Sequence, residues 1–407
     1  MKRRYLIVIA IILLLALGYF FPIILTNISP VWPDIQLGND KAIADKIKQM
    51  ALAEKIGQLV LVGMEGIAIN EDITDLIVRQ HVGGVILYKK NITNSTQLLD
   101  LLNSLKEANA ANTIPLFLAV DEEGGRISRL PDELKNLPNN QTVGEVNNPT
   151  FAYEIGQVLA AELKAYGFNL NFAPVLDINS NPLNPVIGDR SYGSMPDTVS
   201  RLGLQSIKGM QEGGLIAVAK HFPGHGDTEV DSHVRLPVLN FDLSRLDEFE
   251  LVPFKTAIAG HVDAIMIAHI LLPKIDPQYP ASLSKKIITD LLKERLNFTG
   301  LVVTDDLTMG AIVENYSLED AAVQALKAGS DLLLVCHDVQ GQFKVLEAIK
   351  QAVVSGAISE AQIDKSVFKI LKLKQKYNLN EQVITSVDVA SLNERIEFLL
   401  QTYLKQD

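Results

Sequence analysis

The sequence is poor in cysteine and, apart from positions 2–4, has no marked cluster of basic residues. Its single cysteine among 407 residues, Cys336, lies in the apolar run that begins at Leu332, so an internal disulfide and a CxxC metal site are both excluded. The formal net charge is −11, and the absence of clustered lysines and arginines argues against a nucleic-acid partner. These absences favour an uncharged small molecule as the partner and a buried core position for the Cys336 thiol.

The first 33 residues differ in character from the rest of the chain. Basic residues at positions 2–4 precede a run without charges, 5–33, that is strongly apolar as far as Leu25. About 20 such residues, rising about 1.5 Å each, cross a hydrocarbon core of about 30 Å. Because the basic residues precede the run, they favour a cytoplasmic N terminus. We expect residues 1–33 to be an uncleaved membrane anchor with its linker, and the rest of the chain to be extracytoplasmic; the alternative is secretion after signal cleavage.

Short runs rich in Val, Ile and Leu alternate with amphipathic segments, which is typical of buried parallel strands joined by helices. The eight predicted strands are Gly57–Gly63, Gly84–Tyr88, Leu116–Val120, Asn169–Leu176, Leu215–Ala219, Ala264–Ala268, Leu301–Thr304 and Asp331–Val335. Apolar residues at helical spacing from Phe151 to Leu163 predict one crossover helix, with Gly167 as its C-cap. Helical spacing returns after the last strand, over Val367–Tyr377 and from Leu392 to Tyr403.

This alternation predicts an α/β protein with a (β/α)8 TIM-type barrel. We expect the barrel to occupy residues 34–385 and a C-terminal helix, 386–407, to pack on it. A doubly wound open sheet is the competing fold. It is disfavoured because no GxGxxG motif follows the first predicted strand.

In a barrel, the residues at the C-terminal ends of the strands converge on one site. Polar residues follow six of the predicted strands: Asp121–Arg126, Asp177, Lys220 and His221, His269, Asp305 and Asp306, and His337 and Asp338. Five of the 7 histidines lie in or after such ends, namely His221, His225, His233, His269 and His337. This distribution predicts a functional site at that face.

The most informative stretch follows the fifth predicted strand and reads KHFPGHGDTEVDSH, residues 220–233. Its glycines and proline predict an irregular loop. If the loop is locally extended, Asp231 and His233 project to the same side, so the carboxylate can hold one imidazole nitrogen. Such a partner raises the histidine pKa and fixes the tautomer, as a group that alternates between acid and base requires. The alternatives are a solvated loop pair and a metal site formed by His221, His225, Asp231 and His233.

This loop, which continues into Leu236-Pro237, closely resembles the signature of family 3 glycoside hydrolases, in their β-N-acetylhexosaminidase branch. Further segments agree with that family in the same order: GGVIL at 83–87, the run 121–126, NFAPVLD at 171–177 with VIGDRS at 186–191, and VTDDL at 303–307. The resemblance covers roughly residues 45–380. Thr304 stands where Ser is commoner in the branch and Glu122 where Gln is common, which puts fine specificity, but not the reaction, in doubt.

The resemblance implies a role for each matched residue. Asp305 matches the nucleophile, and Asp231 with His233 matches the mobile acid/base pair. The matched substrate-binding residues are Asp121, Arg129, Arg190, Lys220, His221 and His225, of which His225 is expected to position rather than react. No cofactor and no metal are implied. Asp306 is expected to be a supporting group, and Asp177 and His269 are open between sugar contact and structural support.

The implied reaction is release of a terminal β-linked N-acetylglucosamine with retention, through a covalent intermediate on Asp305. An extracytoplasmic location would make cell-wall peptidoglycan fragments the expected substrate; chitin oligosaccharides and other glycoconjugates stay open, as does phosphate instead of water as acceptor. The alternatives are a β-glucosidase of the same family, a metal-dependent barrel hydrolase and an inactive sugar-binding protein. The Asp231–His233 loop argues against the glucosidase. Gly63-Met64-Glu65, where barrel amidohydrolases usually have His-x-His, argues against the metal enzyme.

Overall fold

The computed structural model describes residues 36–404. Eight parallel strands close into a barrel in chain order. They are β1 Val60–Gly63, β2 Gly84–Leu87, β3 Phe117–Val120, β4 Leu170–Asn171, β5 Ile216–Phe222, β6 Ala264–Ile267, β7 Leu301–Asp306 and β8 Leu332–Val335. Closure comes from β1 and β8, which pair with Val60 beside Leu333 and Val62 beside Val335. The predicted (β/α)8 barrel is therefore confirmed.

Helices connect and follow the strands. They are α1 Gln36–Gln49, α2 Leu52–Gln58, α3 Glu71–Val78, α4 Ser95–Asn109, α5 Asn140–Val146, α6 Pro149–Tyr166, α7 Pro196–Glu212, α8 Leu243–Glu248, α9 Val252–Ala259, α10 Gly310–Val313, α11 Leu318–Ala328, α12 Val339–Val354, α13 Glu360–Lys376 and α14 Val389–Leu404, with a π-helical segment at Lys286–Arg295. The barrel belongs to one compact unit that begins at Lys46, and the part of α1 before Lys46 belongs to another.

The predicted crossover helix and both C-terminal helices form. Helix α6 begins with Pro149 after Asn148, whose side chain accepts hydrogen bonds from the first backbone N–H groups, and it ends at Gly167 in the left-handed conformation, φ 106°. These are the residue types that such helix ends favour. Helix α14 packs against α6, where the rings of Phe151 and Tyr403 stack with centroids 4.6 Å apart. The C-terminal helix therefore packs on a helix of the outer layer.

Two predicted strands exceed the observed ones by more than one residue, the first and the fourth. Residues 57 and 58 of the first belong to α2. Only Leu170 and Asn171 of the fourth are regular strand, because Pro174 has no N–H group to contribute to a ladder. Beyond that point the chain stays hydrogen-bonded to β5, because Val218 N–H donates to the Ala173 carbonyl at 3.0 Å and an isolated bridge pairs Val175 with Lys220. The short fourth strand thus turns early into the loops around the barrel mouth.

The fifth strand is longer than predicted and extends to Phe222. Its pairing with β6 shifts in register between Ala219 and Phe222. This irregularity allows two consecutive residues, Lys220 and His221, to reach the same cavity. A regular strand would place successive side chains on opposite faces.

Among residues 36–404, no helix is both long enough and apolar enough to cross a bilayer. The predicted anchor, residues 1–33, lies outside the described part of the chain. It therefore stays a prediction.

Candidate active site

A cavity of about 280 Å³ opens at the C-terminal ends of the strands. Most of the predicted site residues line it: Asp305, His233, Asp121, Arg129, Arg190, Lys220, His221 and His225. The remaining one, Asp231, is hydrogen-bonded to His233. The barrel thus brings together residues that are separated by up to 184 positions in the sequence, from Asp121 to Asp305.

Alternating charges connect the ends of β3 and β5 with the loop after β4. Lys220 Nζ donates to Asp121 Oδ1 at 2.6 Å and lies 2.7 Å from Glu123 Oε1. Arg190 binds Glu123 through two hydrogen bonds of 2.7 and 2.8 Å. Burial alone would raise the pKa of Glu123, but Arg190 and Lys220 lower it overall. The network keeps the Glu123 carboxylate ionised and fixes the polar side chains that face the cavity.

Asp305 is partly exposed to the cavity at the end of β7, and its Oδ1 accepts the N–H of Asp306 at 2.8 Å. Burial would raise its pKa, but the imidazoles of His269 and His221 and this N–H group lower it overall. The carboxylate form is the one that a nucleophile needs.

His269 is completely buried beneath this strand end. Its Nε2 donates to the Asp306 carbonyl at 2.9 Å, and its Nδ1 lies 2.6 Å from Ser282 Oγ. Since a carbonyl can only accept, the proton is on Nε2. Burial lowers the pKa of His269 and keeps it neutral. Of the two roles that the sequence left open, the geometry favours support of β7 over sugar contact.

Asp177, also completely buried, holds the start of the fifth-strand loop. Its Oδ2 lies 2.7 Å from His221 Nδ1, and its Oδ1 accepts the His225 N–H at 2.7 Å. Burial would raise its pKa, but His221 lowers it overall. Asp177 is therefore a support that orients His221 toward the cavity.

The Asp231–His233 contact predicted from the sequence is present. Asp231 Oδ1 lies 2.8 Å from His233 Nδ1 and accepts the His233 backbone N–H at 2.9 Å. Burial would raise the Asp231 pKa, but these two hydrogen bonds lower it overall. An ionised Asp231 fixes the proton on His233 Nδ1 and supports the positive charge of an imidazolium ion. His233 Nε2 is then the nitrogen that can give or take a proton.

Arg129 reaches the cavity from the loop after β3. Its Nε is buried and has no hydrogen-bond partner within residues 36–404, which suits a residue that binds a substrate oxygen. Glu122 fixes this loop from behind, because its Oε2 accepts the N–H groups of Arg129 at 2.7 Å and Leu130 at 3.2 Å. Burial raises the pKa of Glu122 to about 7.

Six further polar residues line the cavity although they were not among the predicted catalytic and substrate-binding residues: Tyr88, Glu123, Ser232, Asp306, Thr308 and His337. Tyr88, Glu123 and His337 lie at or after the C-terminal end of a predicted strand, so position was the signal that could have identified them. Tyr88 and His337 form one wall, with ring centroids 5.2 Å apart. The apolar lining residues Met266, Met309 and Leu334 carry no such signal.

The alternative metal site is not assembled. Within residues 36–404, no three His, Cys, Asp or Glu side chains are grouped so that they could hold a metal ion. In particular, the two ring nitrogens of His225 already lie 2.7 Å from Thr228 Oγ1 and 3.1 Å from Ser232 Oγ.

A carboxylate at a barrel strand end, polar groups that can bind hydroxyls and a histidine at the mouth together define a barrel hydrolase of glycosides. The model of the glycosyl hydrolase family 3 N-terminal domain matches residues 51–373. The chain belongs to this family, and it is a glycoside hydrolase of the β-hexosaminidase type.

Its relatives are named accordingly. A β-hexosaminidase from Nitrosomonas eutropha is 38% identical, over 72% of this chain and 85% of the relative. β-Hexosaminidase A from Pseudoalteromonas piscicida is 33% identical over 75% of this chain, and the match spans only 55% of that longer protein. A solved family 3 β-N-acetylglucosaminidase from Paenibacillus sp. str. FPU-7 is 42% identical, with a TM-score of 0.83, over 87% of this chain and 69% of the other.

Proposed function

We propose that the chain is a retaining exo-β-N-acetylglucosaminidase that forms a glycosyl-enzyme on Asp305. The observation that carries the proposal is the contact between Asp231 and His233, 2.8 Å, beside a cavity that Asp305 also lines. A cavity of about 280 Å³ is at the small end of ligand pockets, about 300–1,000 Å³. Its size suits one terminal sugar better than the interior of a polysaccharide chain.

The reaction has two displacements. Asp305 attacks the anomeric carbon while His233 Nε2–H protonates the departing oxygen, which leaves a covalent glycosyl ester and a neutral imidazole. Water then attacks the anomeric carbon from the opposite face, gives its proton to His233 and displaces the Asp305 carboxylate, which restores the starting state with retained configuration. Asp121, Lys220 and Arg190 bind the hydroxyl groups and hold the ring during both steps.

The location and natural substrate are part of the same proposal. Residues 1–33 anchor the chain in the cell membrane, with the catalytic domain outside the cytoplasm. A β-N-acetylglucosaminidase in that place acts on peptidoglycan fragments. The location is supported by the apolar run at the N terminus, and the names of the relatives support only the hexosaminidase activity.

The substrate class is tested with nitrophenyl β-N-acetylglucosaminide and β-glucoside, each in the presence and absence of phosphate. We expect kcat/KM to favour the N-acetyl sugar at least tenfold, and the first product to be the β-anomer of free N-acetylglucosamine. A preference for the glucoside would replace the proposal with the β-glucosidase. A sugar 1-phosphate as main product would make phosphate the acceptor.

The role of His233 is tested by how much protonation each leaving group needs. Nitrophenolate departs without a proton, whereas the alkoxide of a sugar does not, so His233→Ala should lower kcat/KM about 100-fold or more for a β-linked N-acetylglucosamine disaccharide and little for the nitrophenyl glycoside. Water attack on the intermediate lacks its base in this variant, so kcat for the nitrophenyl glycoside should still fall. Azide, which needs no base, should restore this kcat and give the β-glycosyl azide. Equal losses on both substrates without azide rescue would show that His233 is not the acid/base group.

A further inference from the structure

Ser232 separates the two members of the acid/base pair and has the opposite environment. The side chains of His233 and Asp231 are 67% and 39% exposed, whereas Ser232 is 2% exposed. Its hydroxyl lies 3.1 Å from His225 Nε2. The buried Ser232 thus attaches the otherwise exposed turn 231–233, the acid/base turn, to the body of the protein.

His225 is well suited to hold this hydroxyl. The residue is 1% exposed, and burial lowers its pKa to about 4, so the ring is neutral near pH 7. Thr228 Oγ1 is close to Nδ1, at 2.7 Å, and Asp177 fixes the His225 backbone. With Nδ1 occupied, Nε2 is directed to Ser232. Both nitrogens therefore have partners within the protein, which leaves the ring little capacity to bind sugar directly.

The same turn has a second attachment at α10. Ala311 N–H donates to the Ser232 carbonyl at 3.1 Å, and Gly310 N–H donates to the His233 carbonyl at 3.2 Å. These bonds hold only the backbone. The Ser232 hydroxyl links the turn to His225, nearer the start of the same loop, which also carries the cavity residue His221.

We propose that the His225–Ser232 hydrogen bond holds the acid/base pair in position at the cavity. His225 and Ser232 are then positioning residues. This inference rests on the proposed role of His233. When this hydrogen bond is removed, Asp231 and His233 occupy their position at the cavity for a smaller fraction of the time. Only the steps that need proton transfer then slow down. Binding of the sugar by Asp121, Lys220 and Arg190 is unaffected, because these residues are held by their own network.

The test compares Ser232→Ala with the parent enzyme on the two substrates used for His233. Loss of one buried hydrogen bond should lower kcat/KM for the disaccharide about tenfold. For the nitrophenyl glycoside, kcat/KM should stay within about twofold, which also shows that the variant is folded. Ser232→Thr, which keeps the hydroxyl, should recover most of the loss.

Two further variants distinguish this positioning role from other causes of a lower kcat/KM. In the His233→Ala background, Ser232→Ala should cause no additional loss of kcat/KM for the disaccharide, because the His225–Ser232 hydrogen bond acts only through the position of His233. Ser180→Ala removes a hydroxyl that donates to Asp227 in the adjoining loop at 2.8 Å, and should leave the substrate ratio unchanged. If Ser232→Ala lowers kcat/KM equally for both substrates, or for neither, the proposed positioning role of the His225–Ser232 hydrogen bond is wrong. If His233→Ala itself fails to distinguish the substrates, the proposed function is wrong instead.

Discussion

At the scale of single residues, two adjacent carboxylates have different surroundings and therefore different roles. Asp305 is partly exposed to the cavity. Asp306 is 6% exposed, accepts the N–H groups of Thr308 and Cys336, both at 3.0 Å, and binds the Thr308 hydroxyl at 2.6 Å. Its oxygens thus bind the segments that directly follow β7 and β8, in agreement with the expected supporting role.

This difference predicts opposite outcomes for the two alanine substitutions. Asp305→Ala should abolish turnover on every substrate, because it removes the carboxylate that we propose forms the glycosyl ester. Asp306→Ala should retain measurable turnover but lower the melting temperature, since two buried N–H groups lose their acceptor. The measurement is peptide mass spectrometry after reaction with a 2-fluoro sugar, which should label Asp305. Label on Asp306 would reverse the assignment.

Glu122 stands where the family resemblance leads one to expect Gln, and its position makes stability depend on pH. The side chain is 2% exposed and faces a second cavity that Glu162, also 2% exposed, lines as well. Burial raises its pKa to about 7, whereas an exposed glutamate titrates near 4.3. Between these pH values the unfolded chain releases a proton that the folded chain keeps, so the free energy of unfolding falls as pH rises.

Glu122→Gln should reduce this fall, because the amide oxygen can still accept from Arg129 and Leu130 but carries no charge. We expect the decrease in unfolding free energy from pH 4.5 to pH 8 to be smaller by up to about 3 kcal/mol. Urea unfolding at several pH values measures it. Glu107→Gln, at an exposed position of α4, controls for the loss of a charge. An unchanged pH dependence would mean that Glu122 is not protonated in the folded protein.

At the scale of secondary structure, strand positions were predictable but strand ends were not. A buried parallel strand needs a continuous apolar run, and eight such runs are present. The fourth strand ends at Asn171, and the fifth continues through Lys220 and His221. The extension of the fifth strand was not predictable, because its register shift depends on the neighbouring strand and leaves no pattern in the sequence. Likewise, Asp231 and His233 were predictable as neighbours two residues apart, whereas the contact of Ser232 with His225 depends on how two loops pack.

The short helix α10 provides a prediction at this scale. A Cβ atom at Gly310 would lie 2.4 Å from the Val234 carbonyl oxygen and 2.8 Å from that of His233, closer than such atoms approach. Gly310→Ala should therefore displace the acid/base turn and lower kcat/KM for the disaccharide about tenfold or more, with a much smaller loss on the nitrophenyl glycoside. Val313→Ala, at an exposed position of the same helix, should change neither. Full activity of Gly310→Ala on both substrates would show that catalysis does not depend on the position of the acid/base turn at the cavity.

At the scale of the whole molecule, the barrel and the cavity lie within the unit that begins at Lys46. All predicted site residues come from positions 121–305. Deletion of residues 1–33 should accordingly leave kcat/KM unchanged within about twofold and move the enzyme from the membrane fraction to the soluble fraction. Cell fractionation with an activity assay measures both. A full-length chain that is already soluble in the cytoplasm would contradict the anchor and the extracytoplasmic location.

The pairing of β1 with β8 also affects how the protein can be made. Val60 and Leu333 are neighbours in the sheet although 273 residues separate them in the sequence, so the ring of strands cannot close until the ribosome has released nearly the whole barrel. Until then the growing chain carries two unpaired strand edges, which are templates for association with other chains. Truncation before Leu332 should therefore yield aggregated protein rather than a smaller enzyme with reduced activity.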